Sequence, residues 1–128
     1  LARSLTNLGI RLSRLGRWEQ ALTPAEEAVS IYRRLAEANS DALLSDRARS
    51  LWMYAWVCVK AQFNLRQALE SVTESIDLYR PLVQRLPQVF GGLLLAAYRT
   101  RVDVLDGLGC TAEANDLRRW LDGRPEAG

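Results

Sequence analysis

Histidine is absent from the 128 residues. That removes the commonest general base and the commonest metal ligand at once. No Cys/His metal spacing, no glycine-rich phosphate loop and no Ser/His/Asp set replaces it, so the chain is expected to be no enzyme, with no cofactor and no bound metal. Cysteine occurs twice, at Cys58 and Cys110. Two cysteines so placed make no disulfide framework, which favours a reducing, cytoplasmic setting. No apolar run approaches the roughly 18 residues that a membrane span needs. The candidates around Val57 and Leu94 are interrupted by Lys60 and Arg99. The formal net charge of +2 is too small to imply nucleic acid, because 15 acidic residues are interleaved with 17 basic ones. The first residues carry no basic-then-apolar leader pattern and no Met. They fall inside a helical pattern, and the chain is expected to be part of a longer protein.

Nowhere do β-branched residues alternate over a useful length, so an all-α chain of six helices is expected. Leu5, Leu8, Leu12 and Leu15 recur at three and four residues and form one apolar helix face. Gly9 sits where a second helix can approach closely, and Gly16 suits a left-handed C-terminal cap. A second helix starts near Arg17, with Trp18, Ala21, Leu22, Ala25, Ala28, Val29 and Tyr32 as its stripe. Pro24 is read as a kink inside it, since Ala21 and Leu22 already belong to that stripe. After a polar break at Asn39, Ser40 and Asp41, Ser45 and Asp46 are read as the cap of a third helix that runs to about Ala61. Asn64 lies in the next turn. The fourth helix starts near Arg66 and ends at about Leu86, before Pro87, with Pro81 kinking its last turns. A fifth begins between Val89 and Gly92 and is capped by Gly109. Thr111 caps a short sixth that stops at Gly123.

The pieces then repeat. Ala21, Ala68 and Ala114 occupy the same place in three helix pairs, 47 and 46 residues apart. The segment SIYRRL from Ser30 is echoed by DLYRPL from Asp77. Such self-similarity marks a stacked helical array. Leu5, Leu8, Gly9 and Leu12, followed by Ala21 and Ala25, resemble the tetratricopeptide repeat pattern. There a large residue, a leucine, a small residue and another large residue line the first helix, and alanine opens the second. The resemblance weakens in the third pair, where Arg101 and Arg118 replace apolar or small residues. Those departures suit a terminal unit whose outer face meets water. The period exceeds the usual ~34 residues, as in arrays similar to those of kinesin light chains and bacterial signalling proteins. The resemblance implies a right-handed α-solenoid over residues 1–123, with repeats at about 1–39, 44–86 and 89–122 and a tail at 124–128.

Counting back from Ala68 by the spacing of the first pair puts Trp56 where Gly9 sits. A Trp at that contact would overpack the core by ~1–3 kcal/mol. A turn one residue longer puts Ala55 there instead, with Leu51, Tyr54 and Cys58 beside it. In that register Trp52, Met53, Trp56 and Lys60 turn towards the inner surface of the superhelix.

The resemblance further implies a concave surface, lined by the first helix of each pair, that binds a peptide or a partner protein. Its positions fall on Arg3, Thr6, Asn7, Ile10 and Arg14, on Arg49, Trp52, Met53, Trp56 and Lys60, and on Arg99, Thr100 and Asp103. Asn7 would bond a ligand backbone, since its amide both donates and accepts. Trp52 and Trp56 would anchor an apolar side chain. Arg3, Arg49, Lys60 and Arg99 would pair with carboxylates, so the expected partner is an acidic protein or peptide, with no nucleic acid and no membrane. The ordinary alternatives are a packed Trp and a solvated arginine. A second expectation is self-association through the apolar edge of the first helix.

Overall fold

The computed structural model describes residues 2–34 and 41–124. Among them lie six helices: α1 (Ala2–Arg14), α2 (Trp18–Arg34), α3 (Asp41–Ala61), α4 (Leu65–Arg85), α5 (Pro87–Gly107) and α6 (Thr111–Asp122). Asn39 and Ser40, read as part of the polar break, lie outside the described residues, as does most of the expected tail. Each helix packs on its chain neighbour, and α3 also packs on α1 and on α5. The first helices of the pairs therefore make one layer, and α2, α4 and α6 pack beside it. This is an all-α solenoid of helix pairs.

The turns explain the register. Gly16, Gln62 and Gly109 all adopt positive φ and end α1, α3 and α5 respectively. In each case the next residue donates back across the helix end: Arg17 to Leu12 O, Phe63 to Cys58 O and Cys110 to Leu105 O, at 2.9, 3.1 and 2.8 Å. This is the six-to-one closure of a Schellman cap. In the first and third turns that same residue opens the next helix, with Ala21 bonding to Arg17 O and Ala114 to Cys110 O. In the second turn Asn64 intervenes, left-handed at φ 54° and ψ 41°, and Ala68 bonds to its carbonyl. The turn is thus one residue longer, and Ala55, fully buried, is the counterpart of Gly9. Counterparts on α1, α3 and α5 follow by the same offset, so that Leu8 corresponds to Tyr54 and Arg101, and Asn7 to Met53 and Thr100.

Several boundaries differ from expectation. Helix α3 begins at Asp41, so Ser45 and Asp46 are helical rather than capping, and Asp46 instead pairs with Arg3 at 2.9 Å. Helix α5 begins at Pro87, whose fixed φ suits the first helical position, so Gly91 and Gly92 are interior. Thr111 is the first helical residue of α6; the N-cap is Cys110, and no side chain bonds there. Pro24 and Pro81 both lie inside unbroken helices.

The face of α1 that enters the core is also not the leucine face. Ala2, Thr6, Gly9 and Ser13 are its buried residues. Thr6 and Ser13 donate their hydroxyls to Ala2 O and Gly9 O, at 3.0 and 2.8 Å, so neither is left unsatisfied. Leu5 and Leu12 are half-buried, and Leu8 and Leu15 are exposed. Small residues win this face because α2 and α3 approach it closely. A Cβ on Gly9 would lie 3.0 Å from the sulfur of Met53.

The outward side of α6 is polar. Asn115, Arg118 and Asp122 stand where α2 has Leu22, Ala25 and Val29, and where α4 has Leu69, Val72 and Ile76. Arg118 pairs with Asp106 at 2.6 Å and donates to Asn115 at 2.6 Å. The polar outer face expected from Arg118 is present in this form, whereas Arg101 does not meet water fully: it is half-buried on α5, and its Nε is buried without a hydrogen-bond partner among the described residues.

Two outcomes follow. Gln62→Gly relieves a left-handed residue with an exposed side chain, and is expected to stabilise the chain by ~0.5–1 kcal/mol in urea unfolding. A loss of stability would show that the cap does not hold at Gln62. Gly9→Leu is expected to destabilise by ~1–3 kcal/mol. Adding Met53→Ala should recover part of that loss in a double-mutant cycle, and strict additivity would separate the two sites.

Candidate functional site

The residues singled out from the sequence fall into three environments. Arg14, Arg49, Lys60, Arg99 and Asp103 are exposed, and Ile10, Trp52 and Trp56 are half-buried. Met53 and Thr100 are buried, at 0% and 4% exposure. The expectation that Met53 faces the inner surface is corrected: its thioether fills the space left by the missing side chain at Gly9. A flexible, polarisable side chain suits such a gap. Thr6 is likewise withdrawn from the surface, by its bond to Ala2 O.

Trp52 and Trp56 form part of a seam through all three pairs. Their rings stack at 5.9 Å with 11° between planes, and Trp18 of α2 meets Trp56 edge-on at 5.2 Å. At the other end the indole N–H of Trp52 donates to the Thr100 hydroxyl at 2.8 Å, crossing from α3 to α5. The tryptophans are therefore packing residues first. Each keeps an open edge, and an aromatic ring with one wet side is a ready contact for a partner.

The charges around this seam are unequal. Arg3 is spent on Asp46. Among the described residues, Arg14, Arg49, Lys60 and Arg99 have no carboxylate within salt-bridge distance. Helix α1 contains no acidic residue at all. Asp103 is the acidic exception. Partial desolvation holds its carboxyl above the ordinary range, while the Lys60 ammonium across the α3–α5 boundary and Arg118 pull it down. Lys60 thus senses a carboxylate from the neighbouring pair without closing an ion pair, and both groups remain open to a ligand.

Asn7 is exposed, between Arg3 and Arg14 on one side and Leu8 and Arg11 on the other at about 100° per residue. Its counterparts Met53 and Thr100 are buried against the preceding pair. Position alone therefore does not place Asn7 in the same setting as Trp52.

A further cleft lies away from this surface. It has a volume of about 570 Å³ and is bounded by Glu26, Arg33, Tyr54, Asn64, Gln67 and Glu70. Along the chain nothing signals it beyond Asn64 in a turn. Its floor is the Tyr54 hydroxyl, which donates to Gln67 Oε1 at 3.0 Å and accepts from the Asn64 amide at 3.5 Å. Burial pushes that phenol up, and pushes the adjacent Cys58 thiol up to about 11. Both groups therefore stay protonated at neutral pH and make poor nucleophiles. Among the described residues no cluster of His, Cys, Asp or Glu could hold a metal ion, and no helix is long and apolar enough to cross a membrane.

Comparison with curated proteins and with solved structures returned no match. A protein-family model, described as tetratricopeptide repeat, matches residues 1–41. That span takes in the α1–α2 pair, in which Leu8, Gly9, Leu12 and Ala21 carry the pattern, and this stretch of the solenoid is similar to a tetratricopeptide repeat.

Proposed function

We propose that the chain is a non-catalytic interaction module that binds an acidic peptide or protein segment along the surface shared by α1, α3 and α5. Tetratricopeptide repeats in general mediate protein–protein contacts, and the α1–α2 pair lies in the stretch that matches that family. The observation that carries the finer reading is the row of cations with no carboxylate partner among the described residues, Arg14, Arg49, Lys60 and Arg99, beside the half-open rings of Trp52 and Trp56. A preformed aromatic strip lowers the ordering cost of binding, and the cations select against a basic segment. Ile10 extends the apolar strip onto α1. Asp103 next to Lys60 sets the direction of a ligand that carries one positive group at that end. Asn7 supplies a backbone-pairing amide at the edge of the same surface.

The probe is a fluorescein-labelled extended peptide that alternates Glu with Leu or Phe. Arg49→Ala and Lys60→Ala are each expected to weaken it by ~0.5–1 kcal/mol at low salt, and to flatten its salt dependence. Trp56→Ala should cost more, ~1–2 kcal/mol, because it removes the anchor. Anisotropy titrations at two salt concentrations measure both effects. Binding that ignores salt and both cation changes would refute the basic-surface reading, and equal affinity for the Lys-substituted peptide would do the same.

A further inference from the structure

Consecutive pairs leave a cleft at the same place twice. The first is the cleft of about 570 Å³ bordered by Glu26, Tyr54, Gln67 and Glu70. The second, of about 340 Å³, lies one pair further on and is bordered by Arg101, Glu113 and Asp116. By the offset of the repeats, Arg101 is the counterpart of Tyr54, Glu113 of Gln67 and Asp116 of Glu70. The second cleft therefore sets a guanidinium of the chain itself among its acids. The first holds Glu26 and Glu70 and has a phenol where that guanidinium stands. Among the described residues no cation pairs with Glu26 or Glu70.

The two ends of the first cleft differ in what they ask for. Tyr54 is only 5% exposed, yet it borders the cleft. Its hydroxyl donates to Gln67 Oε1 at 3.0 Å and accepts only the long 3.5 Å contact from the Asn64 amide. A phenol oxygen can accept more than that, so a buried acceptor is left underused. Glu26 stands at this end, close enough to act on the Tyr54 hydroxyl. Arg33 follows seven residues along α2, two turns and about 10 Å away. Arg33 and Arg34 border the same cleft. Glu74 is shared between Arg33, at 3.6 Å, and Arg47. Three cations around one acid leave that end positive.

We infer that this cleft binds an arginine with a free α-carboxylate, its guanidinium between Glu26, Glu70 and the Tyr54 hydroxyl and its carboxylate at Arg33 and Arg34. A guanidinium offers several N–H donors in one plane, enough for two carboxylates and a phenol oxygen. A lysine ammonium holds its water more tightly and lacks that fork, so it suits the cleft less well. An extended arginine spans most of the two turns, and the side chains of Glu26 and Arg33 reach the rest. The same chemistry comes from the free amino acid or from a peptide that ends in arginine. The cleft uses no residue of the α1–α3–α5 surface proposed above, so either reading can fail without the other.

The test follows the side-chain amide signals of Asn64 and Gln67 by nitrogen-15 NMR while L-arginine is added to the full chain at physiological salt. Both signals should shift saturably at about millimolar arginine. L-Citrulline, which keeps the shape and the carboxylate but not the charge, should bind about tenfold more weakly or not at all. L-Argininamide, which lacks the carboxylate, should lose about fivefold. Glu26→Gln should weaken arginine about fivefold, and Arg34→Gln should weaken arginine but not argininamide. Glu19→Gln, the same charge change two turns earlier on α2 and outside the cleft, should leave binding unchanged. Nα-acetyl-L-arginine separates the two sources. Binding as tight as arginine's or tighter assigns a peptide end, and weaker binding assigns the free amino acid. The inference is overturned by the absence of a saturable shift, by equal binding of citrulline or argininamide, or by indifference to Glu26→Gln.

Discussion

The close approach of helices at small side chains is the constraint on which the array depends. Gly9 and Ala55 stand at corresponding places on the first helices, and Ala21, Ala68 and Ala114 stand at corresponding places on the second. A methyl group more at such a contact pushes two helices apart along their whole length, because the interior has no free volume to absorb it. At Gly9 the demand goes further: the missing side chain makes room for a residue from the next pair, Met53. The contact within one pair and the contact between pairs are therefore set by the same atom-sized space. The extra left-handed residue Asn64 is the backbone's answer to the same constraint, since without it a tryptophan would stand where Ala55 does.

Function, on this reading, is carried by what the packing leaves over. Trp52 and Trp56 join three pairs through ring stacking and one hydrogen bond to Thr100, and still present an edge. Arg3 and Arg118 are consumed by Asp46 and Asp106, whereas Arg14, Arg49, Lys60 and Arg99 are not. The division between structural and available charge cannot be read from residue type.

That division marks how far the residues alone could be read. Periodicity, turn glycines and the repeated alanines placed six helices and the register of α3, because each of those signals is local or recurs. The buried face of α1 was not legible in this way. Four leucines look like a core stripe, yet Thr6 and Ser13 enter the core, since their hydroxyls bond within the helix and their small volume suits the contact. Met53 was misplaced for a related reason: its partner, Gly9, lies in another pair. The start of α5 at Pro87 was hidden by Gly91 and Gly92, which cost a helix stability but do not break it when packing holds it. The cleft lined by Tyr54 gathers residues from α2, α3, α4 and a turn, and no spacing along the chain announces such a meeting.

The polar outer side of α6 has a consequence for assembly as a whole. Interfaces that join unlike surfaces propagate without limit unless the geometry closes or one surface is missing. Here the two sides do not match: α1 presents Leu8 and Leu15, while on α6 Arg118, paired with Asp106, and Asp122 would have to lose water to meet them. Set against one another, these two faces would bury charge against leucine.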